Sequence, residues 1–207
     1  MMRIAPLLAP IAALMMALPA QAEKLPLSEL SRYLNSLTTA QAEFTQVNAD
    51  GTIATGTIKI SRPGKVRFEY APPDKSLVLA DGQQVAIFDP KSNQPPEVYP
   101  LNRTPLSVIL APNVNLGQAR MVVAHREDGA TTKVTAQDPQ HPEYGKIEMV
   151  FTANPTELRQ WVITDDSGSQ TTMILGELNK GVRLSSRQFD INEATERRGN
   201  PSGAANR

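Results

Sequence analysis

The chain has 207 residues, 21 Lys plus Arg against 21 Asp plus Glu, and no cysteine. That length suits one domain able to form its own core, with no need of a disulfide framework. A formal net charge of zero excludes a general nucleic-acid binder, whose affinity rests on neutralising phosphates.

The N-terminal stretch from Met1 to Ala22 reads as a Sec-type signal peptide. Arg3 supplies the positive region, Ile4 to Leu18 the apolar region, and Ala20-Gln21-Ala22 the small-residue cleavage site. A bacterial lipoprotein would need a cysteine at that site, so the expected product is an exported protein that is unlipidated and soluble after cleavage. Nothing further along is long and apolar enough to span a bilayer as a helix. The expected organisation is a signal peptide over 1–22, one domain over 23–191, and a polar, disordered tail over 192–207.

After the signal peptide, Leu27, Leu30, Leu34 and Leu37 recur at three- and four-residue steps, with Ser31, Arg32 and Asn35 between them. This spacing predicts an amphipathic helix of about three turns, with Pro26 in its first turn. Alternation then predicts strands in AEFTQVN, GTIKIS and KVRFEY. Asp81-Gly82 marks a hairpin turn inside KSLVLADGQQVAIFDP, and EVYPL adds a short strand. Thr104-Pro105 opens a short apolar helix, TPLSVIL, with Thr104 as its cap, and NLGQAR adds a further helical turn. Further strands are expected over 121–126, 132–137, 146–152, 157–164, 170–178 and 186–191, with a hairpin turn at Asp165 to Gly168. Strands at this spacing argue for an antiparallel sheet rather than βαβ units. With about one apolar face per strand, the fold class is mainly β with α: a single curved antiparallel sheet packed against a few short helices.

Enzyme chemistry finds little footing. His125 and His141 have no neighbouring ligands at a metal-binding spacing and read as a strand residue and a loop residue. There is no G-x-S-x-G, H-E-x-x-H or phosphate-binding glycine loop. No catalytic residue, metal or cofactor is expected. The apolar strand faces, together with LSVIL, fit either an ordinary core or a cavity for an apolar ligand.

One charge is out of pattern. Ile58 and Ile60 share a strand face, and a further step of two places Arg62 on it, while Lys65 and Arg67 fall on the opposite, solvated face. An inward guanidinium needs acceptors, and helix C-terminal carbonyls would serve. Alternatively, Pro63 ends the strand and Arg62 sits at an exposed edge.

FTQ, GTIKISRPGKVRFEY, PPDKSLVLADGQQVAIFDP, VYPL and TPLSVIL, in that order, resemble the outer-membrane lipoprotein carrier family LolA over about Leu27 to Ile191. The resemblance implies an incomplete β-barrel with a helical lid over a hydrophobic cavity. It also implies a monomeric periplasmic shuttle with no cofactor. Such a shuttle takes lipoproteins from an inner-membrane ABC-type releasing complex to an outer-membrane receptor or the outer membrane itself. Arg62 matches the family arginine that hydrogen-bonds lid-helix carbonyls and acts as the lid latch. The expected acyl-chain lining is Ile58, Ile60, Phe68 and Tyr70 on the sheet, Leu30 and Leu34 on the first helix, and Leu106, Ile109 and Leu110 on the second. Two departures stand out: Val66 occupies a place where the family often has a bulkier apolar residue, and this chain ends in a polar tail where some members have a longer C-terminal extension ending in a further strand. The alternative is a (glyco)lipid-binding or sensing module of the same fold.

Overall fold

The computed structural model describes residues 24–92 and 94–199; the predicted signal peptide, 1–22, lies outside the described residues. Helix α1, Leu27–Ser36, forms where the leucine spacing places it. Six strands follow: β1 Thr39–Val47, β2 Ile53–Ser61, β3 Lys65–Tyr70, β4 Leu77–Asp81, β5 Gln84–Phe88 and β6 Glu97–Pro100. A short helix α2, Leu106–Leu110, separates them from β7 Val122–Asp128, β8 Thr131–Gln137, β9 Lys146–Thr152, β10 Glu157–Thr164, β11 Gln170–Leu175 and the two-residue β12 Asn179–Lys180.

All twelve strands belong to one sheet, in the order β6-β5-β4-β3-β2-β1-β11-β10-β9-β8-β7, with β12 pairing β1. Every pairing is antiparallel. The sheet is open at β6 and β7 and strongly curled. Phe68 on β3 and Trp161 on β10 are four strand steps apart, roughly 19 Å along a flat sheet, yet their ring centroids lie 6.4 Å apart. Bulges at 158/160 in β10 and 122/124 in β7 sharpen the local twist that such curvature needs. The concave face, α1, α2 and the strap that follows α2 form one apolar cluster.

A second, smaller cluster lies on the convex side. Leu77, Leu79, Ala86 and Phe88 pack there beneath Phe189 and Ala194. Strand β4 is therefore buried on both faces, which explains its nearly unbroken apolar run, LVLA.

This packing corrects the reading of the C-terminus. The strand expected over 186–191 is a 3-10 turn, Ser186–Phe189, and the tail expected to be disordered continues as helix α3, Ile191–Gly199. The Asp190 carboxylate accepts from Glu193 N at 3.0 Å and caps α3, and Arg197 pairs with Glu193 one turn earlier. D-x-x-E is a capping signature, and the free apolar stripe on β4 and β5 gives the helix something to cover. Residues 200–207 lie outside those described.

Two smaller expectations also change. Thr104 does not cap α2; Pro105 holds the cap position, and the Thr104 hydroxyl donates to Leu101 O at 2.8 Å. The 3-10 turn Leu101–Arg103 places that carbonyl within easier reach. NLGQAR forms turns rather than a helix, because Asn115 Oδ1 accepts from Gly117 N at 3.0 Å and folds the chain locally.

Candidate functional site

Ile58 and Ile60 on β2, and Val66 and Phe68 on β3, point inward as their alternation requires and are 0–5 % exposed. Leu30 and Leu34 of α1, and Leu106, Ile109 and Leu110 of α2, press onto this face. Tyr70 joins from the next inward position of β3 and is less deeply buried. The structure thus brings together every residue expected to line the site. Side chains of both helices pack into the apolar cluster of the concave face.

Arg62 follows the last residue of β2, and its amide donates to Thr38 O at 2.8 Å, which holds the backbone in register beside the end of α1. Its side chain reaches inward. Nη1 donates to Leu34 O near the C-terminus of α1; Nη2 donates to Ala111 O just past α2 at 2.5 Å and to Asn35 Oδ1 at 3.3 Å. Neither helix carries a basic residue in its last turn, so Arg62 supplies the cation that their exposed carbonyls attract. Among the described residues no carboxylate pairs with it. Its Nε is buried without a hydrogen-bond partner among them. Burial lowers its pKa from the ordinary arginine value, but the guanidinium stays charged.

The turn after Arg62 adds a second tie. Gly64 N donates to Leu110 O at 2.9 Å. Gly64 has φ +74°, and a Cβ there would lie 2.7 Å from Gly82 Cα, so only glycine fits. A cleft of about 710 Å³ borders this joint, lined in part by Pro63, Gly82, Leu101, Leu110 and Ala111.

Two further residues belong to the joint and lie on the polar side of the leucine pattern. The Asn35 carboxamide accepts from Val114 N at 2.8 Å and donates to Val114 O at 2.9 Å. Ser31 Oγ accepts from Leu116 N at 3.0 Å. Together they staple α1 to the strap 113–116, whose Val114 and Leu116 are buried. Helical phase alone placed them only between the leucines.

Arg67 departs from its expected setting. It points outward, as parity requires, but the convex face is covered there. Its Nη1 donates to Gln188 O at 2.9 Å and its Nη2 to Glu69 at 2.6 Å, leaving the side chain 19 % exposed. Lys65 lines a crevice beside Ser186 and Phe189. The histidines have structural settings: His125 Nε2 is 2.9 Å from Leu25 O, and His141 stacks on Tyr144.

Residues 35–192 match the family described as "Outer membrane lipoprotein carrier protein LolA". An outer-membrane lipoprotein carrier protein of Chromohalobacter salexigens is 28% identical over 196 residues, 89% of this chain and 92% of that one. A second, of Xylella fastidiosa, is 38% identical over 74 residues, 33% of this chain and only 35% of the relative's length. Among solved structures, a LolA superfamily protein of Nitrosomonas europaea matches with a TM-score of 0.42 at 8% identity, covering 80% of this chain and 98% of that one.

Proposed function

The chain belongs to the outer membrane lipoprotein carrier protein family LolA, and on that premise we propose that it works in the periplasm as a chaperone for lipoproteins. It takes up their acyl chains at an inner-membrane ABC-type releasing complex and delivers them to an outer-membrane receptor or to the outer membrane. A long acyl chain bare in water costs on the order of 10 kcal/mol, at about 0.8 kcal/mol per methylene. A carrier must offset that cost and still let go.

The observation that carries this reading is the reach of Arg62 to the C-terminal ends of both covering helices. In the closed state Leu30, Leu34, Ile109 and Leu110 occupy the concave face. Loading lifts α1 and α2 and replaces their leucines with hydrocarbon of similar character. The net gain is therefore far smaller than full transfer from water. The bonds from Arg62, at about 1.5–3 kcal/mol each for a charged donor, oppose opening and keep binding reversible. The molecule thus has two states that cargo and latch bias in opposite directions.

The test is native mass spectrometry of the full chain after periplasmic expression. A co-purified acylated protein is the expected result. A free lipid would point to a lipid-binding module of the same fold, and an empty protein that also ignores hydrophobic dyes would overturn the reading.

A further inference from the structure

Far from Arg62, the inward lining turns polar along β1–β3, while Met173 and Trp161 continue it as apolar on β11 and β10. Register places Ala40, Ile60 and Val66 in one inward row beside the latch, and Ala42, Ile58 and Phe68 in the next. Then come Phe44, Gly56 and Tyr70, and last Gln46 and Ala54. Gly56 leaves room for the Phe44 ring, whose tip would lie 2.8 Å from a Cβ there. That ring meets Tyr70 edge-on, 5.1 Å between centroids.

Beyond the rings the chemistry turns polar. Tyr70 OH donates to Gln46 Oε1 at 2.6 Å, and Gln46 Nε2 donates to Asn48 Oδ1 at 2.6 Å. Asn48 Nδ2 donates to Thr52 Oγ1 at 2.9 Å, and that hydroxyl donates to Asp50 Oδ1 at 2.6 Å. An unbroken run of bonds therefore leads from the inner face to the exposed β1–β2 turn. Desolvation is the main reason the Tyr70 hydroxyl is pushed up to about 12, so it stays a neutral donor at physiological pH.

We propose that the Gln46–Tyr70 pair is the floor of the acyl site on its β1–β3 side and limits the length of an acyl chain that lies along those strands. This rests on the lipid-carrying reading above. From Ile60 to Ala54 the trough spans six residues of strand, about 20 Å. A methyl terminus forced past its end would separate the phenol from the carboxamide and leave both without partners in a poorly hydrated place. Methylenes beyond the floor stay in water and add no affinity.

The experiment compares the full mature chain with the Gln46→Leu/Tyr70→Phe variant. The probes are synthetic diacylated lipopeptides identical except for acyl length, from dodecanoyl to eicosanoyl, read by displacement of a hydrophobic fluorophore. For the unmodified protein, affinity should climb with length, by at most roughly fourfold per added methylene per chain, and then level off. The variant should level off at a longer chain. If the double variant does not fold, Tyr70→Phe alone, which keeps the ring against Phe44, should move the limit the same way by a smaller step. A variant that binds with an unchanged limit overturns the floor alone. Failure of the unmodified protein to bind any probe overturns the carrier reading, and the floor with it.

Discussion

Arg62 carries more of the proposed mechanism than any other side chain. Arg62→Leu removes bonds to Leu34 O, Ala111 O and Asn35 Oδ1 together, while the methyl groups suit the apolar face. Losing even one such bond favours the open state about tenfold or more. Cargo should load normally and leave slowly; a hand-off assay to acceptor membranes reads this, and normal release by the variant removes Arg62 from the mechanism. Arg62→Lys should be intermediate, since an ammonium lacks the fork that reaches two helices at once. Tyr70 gives a second residue-scale test. An unfolded tyrosine ionises near pH 10, whereas Tyr70 in the folded protein holds its proton to about 12. Between those values the unfolded chain binds fewer protons than the folded one, so stability falls as pH rises, by about 1.4 kcal/mol per unit. Alkaline denaturation curves should show that Tyr70→Phe lacks this share of the slope; equal slopes would place the hydroxyl in water.

At the scale of elements, α1 and the strap 113–116 behave as one piece because Asn35 and Ser31 join them. Asn35→Ala strands the Val114 amide and carbonyl in a half-buried place, at a cost of about 1–3 kcal/mol. Hydrogen exchange should rise at Val114 and Leu116 and stay unchanged in β3 and β4; uniform acceleration would mean that the whole fold had loosened. On the opposite face, Phe189 seals α3 over β4 and β5. Phe189→Ala should cost about 3–5 kcal/mol and raise hydrophobic-dye binding at the exposed Leu77, Leu79 and Phe88. A dye signal that stays flat would show that α3 closes without its aromatic anchor. Much at this scale was legible beforehand. Strands β9 and β10 have the bounds their alternation gives, and α1 follows its leucines. The C-terminal helix was missed because its residues are polar and its apolar contacts, Phe189 and Ala194, are sparse; only the capping pair Asp190 and Glu193 announced it.

At the scale of the whole molecule, the curl of one open sheet separates two environments. The concave side holds the large apolar cluster with α1 and α2, and the convex side holds the small one and α3. Residue patterning determined the antiparallel sheet, the amphipathic first helix and which apolar residues of β2 and β3 share a face. These depend on periods of two and of 3.6 along the chain, which local order records. Only the tertiary structure decided that Arg62 turns inward, where it finds its acceptors, and what covers Arg67. Arg62 meets Ala111 across 49 positions, and Arg67 meets Gln188 across 121. A period says which way a side chain points; the curvature of the sheet determines what it meets there.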